Sequence, residues 1–359
     1  MRSFLFLALA GLVLFLMGCG DQPTAPDSEF AALFAKGGKP GKPPKPDPGG
    51  GTPPEPAIAF VAVASSNDGG GTAQDLMVMD ADGGNPTVLL HSDSYDFWFP
   101  AWCSDVNKEV GAQPGLVYER RALAGQQADL WGVEVIVDEN GVSAGRDEML
   151  LPGAAFAECS PEANTIAYTK MNNWEDENPQ GLWLFDMQAG TESLIVADPI
   201  PDDDEFDAIW SAWNPDGTAI AYQYCEDDPI DGYSCSLRFR DIASGAETIV
   251  REDFWFSALD WSRDGSKFAV KAGFIRIVDA VEGAPEPRAL ENSGFGDSPT
   301  FPPATEPNIG EPVELVFMNR RGKSGSGKRK IVLYNLLTNT ETTLYERKGY
   351  HLHEPDWKR

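Results

Sequence analysis

The sequence predicts an all-β protein, a six-bladed β-propeller of four-stranded antiparallel blades. Three observations lead to this prediction. From Ala57 onward, short runs of β-branched and aromatic residues alternate with clusters of Gly, Asp, Asn and Pro, a pattern typical of strands and turns. A strand followed by a turn recurs six times along this region, as in a repeat protein. The first strands of the region also supply what the last repeat lacks.

The recurring element is an apolar strand that ends at an anchor residue, usually an aromatic one. The anchors, which number the predicted blades 1 to 6, are Trp102, Cys159, Trp213, Trp261, Phe301 and Trp357. They lie 40 to 57 residues apart, as repeats with loops of different length would. A second strand element keeps the same phase and ends at Asp80, Glu134, Asp186, Asp241, Asp279 or Asn335. Each repeat then supplies four strands.

The two ends of the repeat region predict how the ring closes. The segment EPDW ends at Trp357, where other repeats continue into a second strand, and AIAFVAVAS, which begins at Ala57, is a strand of that kind. We therefore expect blade 6 to combine residues 350–357 with three strands from residues 57–90. Such closure leaves no free sheet edge in the ring.

The repeat WNPDGTAIAYQY and its partner LWLFDMQAGTESLIV resemble the WD-like repeats of the TolB-like propeller family, and the resemblance covers residues 57–359. The matching residues are Trp213, Pro215, Asp216 and Gly217 in blade 3 and Trp261, Asp264 and Gly265 in blade 4. The resemblance implies the six-bladed fold. We interpret the Asp and Gly of this turn as structural, because Gly accepts a positive φ and Asp can bond nearby backbone amides.

The N-terminal region predicts export and lipidation. An apolar run follows Arg2 and ends in the segment LMGC at Cys19, and it is shorter than the roughly 20 residues of a membrane-spanning helix. The segment resembles a bacterial lipobox, which implies a signal peptide over residues 1–18 and a lipid on Cys19. Residues 19–56, rich in Pro, Gly and Lys, are expected to be a disordered tether that leads to the propeller, residues 57–359.

Charge and targeting restrict the partners. The chain has 56 acidic and 28 basic residues and a net charge of −28, so its field repels nucleic acid. We expect a monomer that reaches the membrane only through its lipid. Its expected location is the bacterial cell envelope, in the outer membrane and facing the periplasm or the cell surface, because Gly20 rather than Asp follows the lipidated cysteine.

Four further cysteines follow Cys19 in a chain routed to an oxidising compartment, where disulfides persist. Cys225 and Cys235 bracket the polar segment EDDPIDGYS. A bridge between them is the favoured prediction, because it closes a short loop. Whether Cys103 and Cys159 are also bridged stays open at this point.

The longer polar loops are predicted to lie on one face of the ring. Acidic loops stand over blades 2 and 3 and a basic loop stands over blade 5. The candidate binding residues of this loop-rich face are Trp174, Asp202, Asp203, Asp204, Asp227, Asp228, Arg320, Arg321 and Lys328. Three interpretations stay open: solvated loops without a partner, steering of a charged partner, or calcium in the DDDE or EDDPID loop.

The chain has only three histidines. His351 and His353 are two apart on a strand and point the same way, and His91 is expected at the same rim. Because neutral imidazoles bind transition metals, these three residues are candidates for a metal site. The preferred interpretation is that they are polar residues lining the channel and that the protein holds no cofactor.

Familiar catalytic motifs are absent from the sequence, which has neither Gly-x-Ser-x-Gly nor His-Glu-x-x-His. The segment GKSGSGK has no helix after it and is interpreted as a flexible basic loop. We therefore expect a scaffold that is not an enzyme and that recognises a protein or an envelope glycan on its loop-rich face. The alternative is a metal-dependent lyase or hydrolase that acts on a sugar or lactone at the channel mouth, since some sugar-acid lyases with related propellers use a histidine-bound metal.

Overall fold

The fold was analysed in a computed structural model. It describes residues 55–64, 73–103, 115–122, 128–161, 164–170, 180–197, 208–228, 232–290, 293, 296–302, 314–320 and 329–358. These residues belong to a compact unit that spans residues 52–359 and form six four-stranded antiparallel sheets arranged as a β-propeller. The predicted fold class is confirmed. Within the described residues no helix is long and apolar enough to cross a membrane.

The strands are numbered in chain order. β1 (Ile58–Ala64), β2 (Gln74–Met79) and β3 (Thr87–Ser92) come first and belong to blade 6. Blade 1 consists of β4 (Tyr95–Cys103), β5 (Gly115–Ala122), β6 (Ala128–Asp138) and β7 (Gly141–Leu151). Blade 2 consists of β8 (Ala154–Cys159), β9 (Thr165–Lys170), β10 (Gly181–Asp186) and β11 (Thr191–Ala197).

The next three blades repeat this order from the inner strand outward. Blade 3 consists of β12 (Ala208–Trp213), β13 (Ala219–Asp228), β14 (Gly232–Asp241) and β15 (Glu247–Arg251). Blade 4 consists of β16 (Leu259–Trp261), β17 (Lys267–Ala272), β18 (Phe274–Asp279) and β19 (Arg288–Ala289). Blade 5 consists of β20 (Asp297–Thr300), β21 (Glu314–Arg320), β22 (Arg329–Asn335) and β23 (Thr340–Glu346).

The last strand, β24 (Tyr350–Trp357), closes the ring. It pairs antiparallel with β1, with Ile58 opposite Trp357 and Val61 opposite His353, and the strand order of blade 6 is β24-β1-β2-β3. The predicted union of the two ends of the domain is thereby confirmed. Because β24 is the inner strand, the residues at the end of the domain line the central channel.

The second strand of each blade is apolar along its length because neighbouring blades cover both of its faces. In β1, with the sequence IAFVAVA, the first five residues are buried, as expected of strands packed on both sides. The core clusters accordingly join successive blades. One of them packs Val61 and Leu76 of blade 6 against Trp102 and Tyr118 of blade 1. All six anchors are buried in such interfaces.

The turn after the anchor is held by a side chain that differs between blades. In blade 3, Asn214 Oδ1 accepts hydrogen bonds from Thr218 N at 2.8 Å and Ala219 N at 2.9 Å, and Gly217 has a φ of 64°. In blade 4, Asp264 Oδ1 accepts from Ser266 N at 3.0 Å. The turn residues therefore have the structural role expected from the sequence, although Asn214 rather than Asp216 makes these bonds in blade 3.

Two disulfides join described residues. Cys225 and Cys235 are bridged across β13 and β14, where they face each other in register. Cys103 and Cys159 are also bridged and connect the inner strands of blades 1 and 2. The favoured pair is present, and the pair that the sequence leaves open is formed as well.

Candidate functional site: the channel mouth

Bulges in the inner strands divide the central channel into two parts. Five inner strands shift register at the residue three positions before the anchor, and this residue has a positive φ. The five residues are Phe99, Phe156, Trp210, Ser298 and Glu354, with φ between 45° and 57°. Such values are rare for bulky residues and often mark functional sites. We call the part of the channel before the bulges the mouth and the part beyond them the axial cavity.

His353 lies in the mouth, on β24 just before the bulge of blade 6. Nη1 of Arg329, on the neighbouring blade 5, lies 2.7 Å from its Nδ1 and 2.5 Å from its Nε2. The indole of Trp98 lies 6.1 Å away, measured between ring centroids. Burial and the positive charges of Arg329 and His351 lower the pKa of His353 to about 3. The imidazole is therefore neutral at neutral pH and accepts a hydrogen bond from a cation.

Arg329 is a half-buried cation that forms no salt bridge with a described residue, although the charges of Asp297 and Glu354 act on it. Its Nε is buried without a hydrogen-bond partner, and its Nη1 contacts the neutral His353. Burial and the charge of Arg320 lower its pKa, which is the physical sign of a cation held away from water. A guanidinium with unused N–H groups is suited to bind a carboxylate through two parallel hydrogen bonds.

Further groups give this side of the mouth a positive character. Burial, with the charges of Arg329 and Arg320, lowers the pKa of His351, and its Nδ1 has no hydrogen-bond partner in the described structure. The carboxylate of Asp297 is engaged by Lys271 at 3.0 Å. In a chain with a net charge of −28, this concentration of unneutralised arginines is a local exception that would draw in an anion.

The blade 1 side of the mouth is built around a buried ion pair. Arg121 Nη2 lies 2.7 Å from Glu119 Oε2, and the guanidinium lies 5.6 Å from the centroid of the Trp98 ring. Glu119 Oε1 accepts a hydrogen bond from Phe156 N at 2.6 Å. Burial raises the pKa of Glu119, and Arg121 opposes that shift. Trp98 thus forms an aromatic wall between Arg121 and His353.

Only some of the residues selected from the sequence reach this site. Arg320 ends β21 at the mouth, and Asp227 and Asp228 end β13 on the same face. The lipidation residue Cys19 and six candidate binding residues lie outside the described residues; the six are Trp174, Asp202, Asp203, Asp204, Arg321 and Lys328. Their predicted roles stay predictions.

The three histidines do not form a metal site. His91 lies on β3, the outermost strand of blade 6, where its Nδ1 is 2.6 Å from Asp75 Oδ1. β3 is three strands away from β24, or roughly 14 Å at the usual strand spacing. His353 faces Arg329, whose positive charge would repel a metal ion. Across the described ranges, no group of three or more His, Cys, Asp or Glu residues is placed to hold a metal.

Sequence reasoning missed Arg329, Trp98 and the bulge residues. Arg329 was grouped with the basic loop of blade 5, because nothing in a sequence shows that it faces a histidine 24 residues away on another blade. The bulge residues leave a usable signal. An aromatic residue stands three positions before the anchor in blades 1 to 3, in the segments FPAW, FAEC and WSAW.

Neither a protein-family model nor a curated protein matches the chain. Solved structures do match. A puromycin hydrolase mutant in complex with PGG is 14% identical with a TM-score of 0.50, over 82% of this chain and 54% of that chain. Oligogalacturonate lyase from Vibrio parahaemolyticus is 13% identical with a TM-score of 0.43, over 82% and 75%. A hypothetical selenium-binding protein from Sulfolobus tokodaii is 10% identical with a TM-score of 0.48, over 85% and 94%.

The similarity to the puromycin hydrolase mutant supports the propeller fold and corrects one expectation. This chain spans about half the length of the puromycin hydrolase, which is 14% identical to it, so the match concerns the fold alone. The prediction that the chain is not an enzyme was based on missing motifs. That prediction is wrong, because a hydrolase has the same fold. The resemblance to the TolB-like family stays a prediction.

Proposed function

We propose that the protein is a lyase or hydrolase that acts on an acidic sugar or a lactone at the channel mouth. One observation carries the proposal: the neutral imidazole of His353 lies beside the half-buried guanidinium of Arg329. This pair combines a potential base with a group that neutralises an anion. The three histidines do not converge, so the proposal assigns them no metal.

Substrate binding would activate the base. A carboxylate of the substrate can accept charge-assisted hydrogen bonds from the N–H groups of Arg329. Arg329 then no longer donates a hydrogen bond to the imidazole of His353. Because the charge of Arg329 is one cause of the low pKa of His353, its neutralisation raises that pKa towards the range in which general bases work. Arg320 adds positive charge to the same side of the mouth.

The lyase reaction needs only this pair and the substrate. His353 removes the proton from the carbon next to the carboxylate, and that electron pair forms a carbon–carbon double bond. The bond from the neighbouring carbon to the leaving sugar oxygen breaks, and that oxygen takes up the proton that His353 removed. With a lactone, His353 would instead take a proton from water while the water oxygen adds to the carbonyl carbon, and Arg329 would stabilise the negative charge that develops. The ring carbon–oxygen bond of the ester then breaks, and the ring oxygen takes up the proton that His353 holds.

Assays on the purified protein test the proposal. Oligogalacturonate is the acidic probe, its fully methyl-esterified form is the neutral control, and gluconolactone tests hydrolysis. We expect turnover of the oligogalacturonate or of the lactone. His353→Gln should lower kcat by roughly a hundredfold or more, while Arg329→Gln should mainly raise KM. Arg288→Gln, which removes an arginine from the outer strand of blade 4, is the matched control and should have no effect.

Two results would overturn the proposal. The first is a folded wild-type protein that neither turns over nor binds any of these probes. The second is a His353→Gln variant with wild-type kcat, which would remove the base from the mechanism.

The cellular setting is a second part of the proposal. It rests on the lipobox-like segment that ends at Cys19 and on the Pro- and Gly-rich stretch behind it. We propose that a lipid on Cys19 holds a monomeric propeller in the cell envelope, where an envelope glycan would be the substrate nearest to it. Labelling with an alkyne fatty acid should mark the wild-type protein but not Cys19→Ser, and equal labelling of both would refute the anchor.

A further inference from the structure

The axial cavity beyond the bulges has a chemistry unlike that of the mouth. It lies between the inner strands of the blades and has a volume of ≈ 100 Å³. This volume lies between the roughly 30 Å³ share of one water molecule and the roughly 150 Å³ cavity that accepts benzene. The cavity can therefore hold a small polyatomic group.

One wall of the cavity is aromatic. Phe99, Phe156 and Trp210 come from the equivalent bulge positions of blades 1, 2 and 3. Their ring centroids are 5.0 Å apart for Phe99 and Phe156, 5.2 Å for Phe99 and Trp210, and 4.4 Å for Phe156 and Trp210. All three have positive φ values, which cost free energy in bulky residues. The backbone is thus held in a strained form that turns three aromatic side chains to one place.

The facing wall is acidic, with Glu354 as its central group. Glu354 is 8% exposed, and its Oε2 accepts a hydrogen bond from Phe99 N at 2.6 Å. This contact brings the carboxyl group to the edge of the aromatic wall. Within the described structure Glu354 takes part in no salt bridge. Asp260 and Asp356 also line the cavity and add negative charge to this wall.

An unsatisfied hydroxyl group completes the lining. Ser211 is 7% exposed and lies on the cavity wall beside Trp210. Its Oγ is buried without a hydrogen-bond partner in the described part of the chain. A buried polar atom in that state normally indicates a missing partner, and a group bound in the cavity that Ser211 lines could supply it.

We propose that the axial cavity binds an organic ammonium group. Aromatic faces attract cations, and Ser211 Oγ can accept from an N–H or O–H of the ligand. Burial raises the pKa of Glu354, and a bound cation would favour its ionised form, so that the carboxylate then supplies the counter-charge. A metal ion fits less well, because Ca²⁺ and Mg²⁺ require a shell of oxygen ligands and one wall of this cavity is aromatic. This proposal does not rest on the reaction proposed at the mouth, although the charge of Glu354 acts on Arg329.

Choline tests the proposal, with its neutral carbon isostere, dimethylbutanol, as the control ligand. Titrations of the full-length protein are followed by calorimetry and by tryptophan fluorescence, in which Trp210 reports directly. We expect choline to bind at one site per chain and the isostere to bind at least roughly tenfold more weakly, because the ion pair and the cation–π contacts depend on the charge.

Two variants probe the two walls. Glu354→Gln keeps an oxygen that can accept from Phe99 N, so the bulge is retained, and it should weaken choline binding roughly tenfold or more. Trp210→Leu should weaken binding and abolish the fluorescence change. Arg288→Gln, on the outer strand of blade 4, is the matched control and should leave choline affinity unchanged. Thermal unfolding establishes that each variant is folded.

Three outcomes would overturn the proposal. These are equal affinity for choline and its isostere, wild-type choline affinity in both Glu354→Gln and Trp210→Leu, and no detectable binding of choline by the folded wild-type protein. The last result would mean that the cavity holds water alone.

Discussion

The mouth and the axial cavity are built from adjacent positions of the same repeat, yet their chemistry is opposite. The residues at the fourth position before the anchor face the mouth. They include Trp98, Asp297 and His353, and the arginines of blades 1 and 5 lie around them. One position later stand the bulge residues, including Phe99 and Glu354, which line the cavity. The repeat determines where these side chains lie, and the residue type at each position differs from blade to blade.

A third position of the repeat links some of the blades to the next. In blades 4 and 6, an aspartate one residue before the anchor reaches the backbone of the following blade. Asp260 Oδ2 accepts from Phe301 N at 2.6 Å, and Asp356 Oδ2 accepts from Trp102 N at 2.8 Å. The same position is alanine in blades 1 and 3, so this link also differs between blades.

The largest expected effect concerns β24, on which both regions depend because it carries His353 and Glu354. Removal of residues 350–359 deletes the inner strand of blade 6 and opens the ring. We expect the loss of cooperative thermal unfolding, measured by circular dichroism, whereas removal of Arg359 alone should change little. A cooperative transition at the wild-type temperature in the longer deletion would contradict ring closure by this strand.

The fold was predictable because its signal is repeated and local. Each blade repeats the same apolar strands and turns. The repeat that contains Trp357 lacks the strand that follows in other repeats, and the strand that begins at Ala57 is of that kind. The site was not predictable in the same way. The contact between His353 and Arg329 crosses from one blade to another, and the positive φ of Phe99 has no signature in an aromatic residue.

The distance between His91 and the other two histidines has a simple physical reason. The sequence predicts His91 at the same rim as His351 and His353, but it does not show how far from the channel its strand lies. β3 is the outermost of four strands, whereas β24 is the innermost. Each step between strands adds about 4.8 Å, so residues at the same height can still be far apart.

The next effect in size is pH dependence, which should have opposite signs in the two regions. The pKa of His353 is about 3 in the folded protein and about 6.5 when unfolded. As the pH falls, His353 is therefore protonated in the unfolded chain before it is protonated in the folded protein. The stability that neutral His353 contributes is present above about pH 6.5 and is lost as the pH falls towards 3. The whole effect is on the order of 5 kcal/mol.

Glu354 should act in the other direction. Burial raises its pKa well above the usual value, so its contribution to stability is present below the unfolded pKa and is lost as the pH rises through the folded pKa. Urea unfolding from about pH 4 to about pH 8 measures both effects. His353→Gln should flatten the acid side of the profile, and Glu354→Gln should raise stability on the neutral side. Parallel shifts in both variants would contradict the contrast.

The two disulfides should stabilise the two regions unequally. Cys103 and Cys159, behind the aromatic side of the cavity, are separated by 56 residues, and Cys225 and Cys235, at the rim of the loop-rich face, by 10. The chain-entropy relation gives about 4 kcal/mol for the longer loop and about 3 kcal/mol for the shorter. Urea unfolding of the two Cys→Ser double variants measures this, and a larger loss from the shorter loop would reverse the expected order.

The smallest expected effect isolates one hydrogen bond of the cavity. Glu354→Leu and Glu354→Gln both remove the carboxyl group, but only Gln keeps an acceptor for Phe99 N. Because a buried N–H left without a partner costs about 1–3 kcal/mol, the Leu variant should be less stable than the Gln variant by about 2 kcal/mol. Equal urea midpoints would mean that this bond does not hold the bulge.

The most direct test of the contrast between mouth and cavity is one calorimetric experiment with two ligands and two variants. Oligogalacturonate and choline are each titrated into Arg329→Gln and Glu354→Gln. The account predicts a crossed result, in which Arg329→Gln loses affinity for oligogalacturonate alone and Glu354→Gln loses affinity for choline alone. Variants that weaken both ligands equally, or neither, would contradict the division of the channel into an anion site and a cation site.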